Sequence, residues 1–214
     1  MFRIIGLIIG YGFGLIQMAY IMGKLNGIDI REHGSGNSGS NNARRVLGKK
    51  VGGIVFAVDF SKALVAFWLT YHLFNNNPAI NPTTAALYAG LGAILGHCFP
   101  FYLKFKGGKG IACSLAIILS IHFLMGLTII AFGIGVLLIS RYVSVPSITV
   151  NAVTPIFMIF YGFTIEPILI SAIIAFICIY MHRSNIVRLL NGTEDRLFGK
   201  DYGKYDDDNE EETN

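Results

Sequence analysis

Charge is scarce in this chain. Asp, Glu, Lys and Arg together make up 14% of its 214 residues, against 53% hydrophobic residues, and the mean hydropathy is +0.58. Segments 4–23, 63–103 and 110–140 hold none of the four charged types. A soluble core of this size needs no such runs, whereas about 20 apolar residues match the hydrocarbon thickness of a bilayer. An ordinary soluble domain is therefore excluded. Cysteine is equally thin: Cys98, Cys113 and Cys178 stand alone, each in or beside an apolar run. Without a CxxC pair or a Cys/His ligand spacing, neither a disulfide framework nor a zinc site is expected. The first apolar segment begins at Arg3 and lacks a small-residue cleavage site, so it reads as a retained helix.

The bases that are present draw a topology. All Lys and Arg except Arg3 cluster in or near 24–62, 104–109, 141 and 183–204. Basic residues in short loops stay on the cytoplasmic side. Spans are expected at 2–22, 51–74 and 84–101, with the uncharged turn Asn75-Asn76-Asn77-Pro78 outside. The stretch 110–140 is long for one span and short for two. Two short helices hinged near His122–Gly126 return Arg141 to the inside, and local bilayer thinning accommodates short spans at modest cost. Spans at 145–161 and 167–181 follow, the last opened by Pro167. The expectation is an all-α polytopic membrane protein of seven helices, N-terminus outside and C-terminus cytoplasmic, comprising residues 1–200. Residues 201–214 carry seven acids and one base. They read as a disordered, solvated acidic tail.

Three polar segments fall on the basic face. Ser35-Gly36-Asn37-Ser38-Gly39-Ser40-Asn41-Asn42-Ala43-Arg44-Arg45 is a flexible Gly/Ser/Asn loop or, given its terminal arginines, a nest for an anion. Gly96 through Gly110 carries three lysines and ends in Gly107-Gly108-Lys109-Gly110. It is not a nucleotide-hydrolysing phosphate loop, because Lys109 precedes Gly110 where Ser or Thr would ligate magnesium. A glycine-rich turn opening a helix still offers N–H groups to an anion. The third segment is His182-Arg183-Ser184-Asn185, then Gly192-Thr193-Glu194. On a continuing helix His182 and Asn185 share a face. Asp59 and Lys62, one turn apart inside a span, read as an intrahelical pair. Each charge there costs about 2.5–3.5 kcal/mol on insertion scales. His72, His122 and Glu166 read as outer-boundary residues without chemistry.

Together the three segments resemble the bacterial acyl-phosphate:glycerol-3-phosphate acyltransferase family. A pattern like SGNxGxxNxxR is matched by Ser35, Gly36, Asn37, Gly39, Asn42 and Arg45. One like GHxFPxxLxFKGGKGxA is matched from Gly96 through Ala112, and one like HRxNIxRLLxGTE from His182 through Glu194. The order is right, and the likeness covers the chain short of its tail. Ser38, Asn41 and Arg44 depart from residues more usual there.

The resemblance implies seven helices with the motifs on the cytoplasmic face of a bacterial inner membrane. The reaction it implies moves a fatty acyl group from acyl phosphate to the 1-hydroxyl of glycerol 3-phosphate. Lysophosphatidate and phosphate are formed, the first committed step of phospholipid synthesis. No cofactor or metal is implied, and the partners are the two substrates and membrane lipids, with no nucleic acid. Ser35, Gly36, Asn37, Asn42, Arg45 and Lys104 are expected at the acyl-phosphate head group. Gly107, Gly108, Lys109, Ser144, His182 and Asn185 are expected at glycerol 3-phosphate, with Glu194 in support. Ser35, Arg45, Lys104, His182 and Asn185 are the expected catalytic set. The proton would pass to the departing phosphate or to His182. Another acyltransferase mechanism, built on His-x4-Asp with His as base and Asp as its orienter, is excluded, since Ser38, Asn77, Tyr102, Leu127 and Val187 occupy the positions five beyond each His. An organic-phosphate transporter, the rival reading, would carry more polar groups at mid-membrane than Asp59 and Lys62.

Overall fold

A computed structural model describes residues 1–197; the acidic tail lies outside them. Among the described residues the regular structure is helical, with one isolated bridge between Tyr142 and Arg196 and no strand. The helices are α1 Phe2–Gly14, α2 Met18–Leu25, α3 Ser40–Phe74, α4 Pro82–Cys98, α5 Ile111–Ile121, α6 Phe123–Ser140, α7 Ser144–Phe160, α8 Ile165–Met181 and α9 Arg183–Leu190.

The span containing α4 is the centre: 72% of its apolar window is buried inside the protein, against 22% for α6. Glycine makes that possible. Gly6, Gly10 and Gly14 line one face of α1 and meet α4 backbone to backbone. A β-carbon on Gly10 would lie 2.7 Å from the Ala89 carbonyl carbon and 2.8 Å from Ala93 N, closer than such atoms approach. Packing of small residues is how helices associate where lipid supplies no hydrophobic drive.

The first span is not one helix. It breaks at 15–17, where Gln17 takes φ −101° and ψ 80°. The break frees carbonyls that a bilayer cannot hydrate. Side chains take them up: Tyr102 Oη donates to Leu15 O at 2.6 Å, Gln17 Nε2 to Gly14 O at 3.1 Å, and Lys62 Nζ to Ile16 O. Lys62 is thus more than half of the expected intrahelical pair. It reaches Asp59 Oδ1 at 2.7 Å and also the break between α1 and α2.

The hinge in 110–140 falls at His122, whose extended backbone separates α5 from α6 and whose Nδ1 accepts from Met125 N at 3.2 Å. α5 has only 11 residues, a rise of roughly 16 Å. Among the described residues four helical segments are long and apolar enough to cross a membrane, α1 and α2 together counting as one, or five if the bent α8–α9 pair counts as one span. The helix does not continue straight through His182: α8 and α9 meet at 57°, so the face argued for His182 and Asn185 arises at a bend. Gly48, at φ +85°, interrupts α3, and the turns before it pack against the helix after it: a β-carbon on Gly52 would lie 2.5 Å from Arg44 Cβ. At the other end Glu166, expected idle, binds Arg3 Nε at 2.6 Å and Tyr88 Oη at 2.9 Å, tying α1, α4 and α8.

Candidate active site

The α3 start, the loop after α4, the α6–α7 turn and the α8–α9 bend surround one cavity of about 450 Å³. From the first segment Ser35, Asn37, Asn42 and Arg45 line it; from the second Lys109; from the last His182, Asn185 and Glu194. Ser144 joins from the α6–α7 turn. Lys104 does not. It is exposed at the left-handed end (φ +54°) of the short turn Phe101–Leu103, away from the lining.

The loop 33–39 is held by Asn42, which accepts from Ser35 N at 2.7 Å and donates to Ile30 O and His33 O at 3.0 and 3.1 Å. Its polar atoms are spent on the loop, which presents Ser35 and Asn37. Gly36, at φ +69°, makes the turn but does not line the cavity. Arg45 pairs with Asp195 Oδ2 at 2.7 Å. Asp195 is itself anchored next door, where Tyr142 and Arg196 pair and Leu197 N donates to Arg141 O at 2.7 Å.

Gly107 and Gly108 sit outside the lining, and their N–H groups are not aimed at it. They donate to Cys98 O and His97 O, at 3.1 and 3.0 Å. Both glycines are instead close-approach positions against His97 and Pro100. The loop they form delivers Lys109, which donates to Asn185 Oδ1. Asn185 Nδ2 donates to Glu194 Oε1 at 2.7 Å, and Arg188 Nε holds Glu194 Oε2 at 2.7 Å. Burial, together with the nearby Arg188 and Arg45 charges, lowers the Lys109 pKa to about 8, Glu194 partly opposing. His182, just past the end of α8, has its Nδ1 2.7 Å from Cys178 O. A carbonyl only accepts, so Nδ1 carries the proton and Nε2 is left with a lone pair. Burial takes its pKa down to about 4, the Cys178 bond opposing and Lys109 adding to the fall. Ser144 Oγ is buried without a hydrogen-bond partner among the described residues. Nor do three His, Cys, Asp or Glu side chains among them gather as a metal site.

The arrangement suits two anions: guanidinium and ammonium groups converge, with hydroxyl and imidazole acceptors between them. The family model for glycerol-3-phosphate acyltransferase matches residues 4–192. The chain belongs to that family. It is 42% identical over 200 residues to the glycerol-3-phosphate acyltransferase of Thermoanaerobacter pseudethanolicus, covering 92% of this chain and 96% of that one. With the Bacillus subtilis enzyme of the same name it shares 40% over 192 residues, covering 89% and 95%. It is similar to the crystal structure of PlsY (YgiH), an integral membrane glycerol 3-phosphate acyltransferase, in its glycerol 3-phosphate form. The TM-score is 0.83 at 34% identity, over 92% of this chain and 96% of the other. The lysophosphatidic acid form gives 0.80.

Within this acyltransferase the cavity also holds residues to which the sequence reading gave no role. Asp59 and His97 line its floor, and Arg188 and Asp195 its mouth. Two mid-span charges were the signal for the first. His97 lay inside the second motif, hidden among glycines and lysines that drew the chemical argument.

Proposed function

We propose that this integral membrane acyltransferase takes its acyl group from acyl phosphate and transfers it to the 1-hydroxyl of glycerol 3-phosphate. The observation that carries this reading is the meeting of three separated polar segments on one cavity with Arg45 on one wall and Lys109 on another. Two phosphorylated substrates need two cationic anchors. An activated mixed anhydride needs no covalent enzyme intermediate, only alignment and charge neutralisation.

Ser35, Asn37 and Arg45 hold the acyl-phosphate head group, with Arg45 exchanging Asp195 for phosphate. Phe56, Ile111 and Val143 supply apolar lining toward which the acyl chain runs. Lys109, Ser144, His182 and Asn185 hold glycerol 3-phosphate. Gly36 and Asn42 shape the first loop. Gly107 and Gly108 act through packing rather than through phosphate contact, Glu194 orients Asn185, and Lys104 touches neither substrate. The His182 Nε2 lone pair accepts the 1-hydroxyl and aims its oxygen at the acyl carbon. A group protonated only near pH 4 is a weak proton sink at neutrality. The proton therefore goes to an oxygen of the departing phosphate. The new ester C–O bond forms as the anhydride C–O bond breaks, giving lysophosphatidate and inorganic phosphate. Glycerol-3-phosphate-dependent phosphate release from acyl phosphate by purified protein in detergent tests this. No release above the hydrolysis background overturns it.

The same reading has seven crossings of the bacterial inner membrane, N-terminus outside, C-terminus and cavity on the cytoplasmic side. Its support is the one-sided distribution of bases and the helix break at His122. Single cysteines at Asn41 and Asn191, in a background without native cysteine, should label from the cytoplasm, and one at Asn76 from outside. Periplasmic labelling at Asn191 would sink the topology.

A further inference from the structure

At the floor of the cavity lie two residues that the reaction just described does not use, Asp59 on α3 and His97 near the end of α4, with Lys62 of α3 bonded to both from outside the lining. All three are buried, at 2%, 3% and 4% exposure. We propose that His97 is a phosphate-binding residue of this site, offering its Nε2–H to the phosphate of glycerol 3-phosphate. Asp59 and Lys62 are the positioning residues that put that proton there. The inference rests on the assignment of glycerol 3-phosphate to the Lys109 side of the cavity.

An ammonium carries three N–H groups and can only donate. Three acceptors surround Lys62 Nζ: Ile16 O, Asp59 Oδ1 at 2.7 Å and His97 Nδ1 at 2.9 Å. Nδ1 also lies 3.5 Å from Asp59 Oδ1, but the ammonium is nearer, at 2.9 Å, and can only donate, so Nδ1 presents a lone pair. A neutral imidazole has one N–H, which is then on Nε2. Asp59 holds the ammonium in place and cancels its charge, so the cluster delivers a neutral donor.

The backbone around the ring is pinned as firmly. Gln17 Nε2 and Gly108 N both donate to His97 O at 3.0 Å. The ring has no rotational slack to seek a partner elsewhere. Yet Nε2 makes no hydrogen bond among the described residues. That nitrogen is not one of the fully enclosed polar atoms left without a partner, so it keeps an opening, and an opening is what an unpaired donor needs if it is not to forfeit its solvation. Gly108 faces Nε2 and carries no side chain to cover it. The ring lines the same cavity as Lys109, His182 and Asn185, so the uncovered donor is available where the phosphate is assigned. A neutral donor there adds a bond without adding another cation to the neighbourhood of Lys109 and Arg188.

The test compares two substitutions in purified protein, with phosphate release as readout. In His97→Met the N–H is gone but the bulk is kept. The KM for glycerol 3-phosphate should rise roughly 10- to 100-fold, the range of one hydrogen bond to a charged group. The KM for acyl phosphate should stay within about threefold. His97→Gln, whose amide N–H extends toward the Nε2 position, should recover most of the loss. A folded His97→Met protein with an unchanged glycerol 3-phosphate KM overturns the proposal, as does equal impairment by Met and Gln. If neither variant folds, nitrogen-15 histidine spectra of the wild-type protein decide. His97 should be the Nε2–H tautomer, with that resonance moving on addition of glycerol 3-phosphate. A proton on Nδ1, or an unmoved resonance, overturns it. A wild-type protein that releases no phosphate at all defeats the reaction itself, a separate result.

Discussion

Gly108→Ala tests how the glycine loop works. The added methyl would sit 2.7 Å from His97 Cε1 and 3.0 Å from Cδ2, and closer still to Nε2. Carbon contacts settle at about 3.5–4.0 Å, so ring or loop must give by about 1 Å. The ring cannot yield cheaply, because its Nδ1 is bound to Lys62 at 2.9 Å and its carbonyl receives Gly108 N at 3.0 Å. Overpacking of this kind costs about 1–3 kcal/mol. A displaced hydrogen bond to a charged group costs about 1.5–3 kcal/mol, and the two overlap because one movement causes both. Unfolding free energy should fall by about 1–3 kcal/mol, and the KM for glycerol 3-phosphate should rise roughly 10- to 100-fold. The assay is phosphate release with glycerol 3-phosphate varied at saturating acyl phosphate, beside denaturation in the same detergent. A double-mutant cycle isolates the cause. With His97→Ala in place the methyl has room, and Gly108→Ala should be nearly neutral. Simple additivity of the two substitutions would refute the steric argument. It would return Gly108 to the role first expected from the motif, direct approach to phosphate.

Gly107→Ala should be worse for folding than for binding: its methyl would meet the His97 carbonyl oxygen and Pro100 Cδ, and backbone cannot swing away. Expression and thermal unfolding will register it, and a normally stable variant would contradict the geometry. Arg45→Ala should lower turnover and raise the acyl-phosphate KM, with Arg45→Lys recovering only part, because an ammonium lacks the planar fork. Steady-state kinetics with acyl phosphate varied checks both. Asp195→Asn removes the carboxylate that pairs with Arg45 at 2.7 Å. The acyl-phosphate KM should fall by a few-fold, and a rise would mean that Asp195 positions Arg45 rather than competing for it. The ammonium of Lys109, lowered to about 8 by burial, is charged below that pH and neutral above it. The kcat/KM for glycerol 3-phosphate should therefore decline above about pH 8, while Lys109→Arg, always charged, should lose that limb.

Much of this was legible in the sequence because bilayer and charge impose period-free rules. Length, apolarity and the positions of bases placed the helices, and the break at His122 fell inside the interval that charge parity required. What escaped were features set by contacts between distant segments. The kink at 15–17 leaves no mark in a uniformly apolar stretch; it shows only through Tyr102, Gln17 and Lys62, which take up its carbonyls. The first and last polar segments could be grouped, since Ser35, Arg45, His182 and Asn185 do line one cavity. The middle one could not be divided correctly. Spacing alone does not distinguish a glycine that turns its N–H to a ligand from one that lets a histidine ring pass, nor Lys104 from Lys109.

The glycine seam between α1 and α4 also bears on how the protein is made. The face formed by Gly6, Gly10 and Gly14 belongs to the first segment synthesised, yet its partner surface at 85–96 follows about 80 residues later. Until α4 arrives, α1 has no snug neighbour, and α3 must enter the bilayer with Asp59 and Lys62 still lacking His97. Closing the seam delivers the α4 end to Gln17 and Lys62 together. Completion of the cavity floor is thereby postponed until the central helix has docked. An assembly intermediate with α1 unzipped from α4 would be inserted but inactive, and open to capture by quality-control proteases.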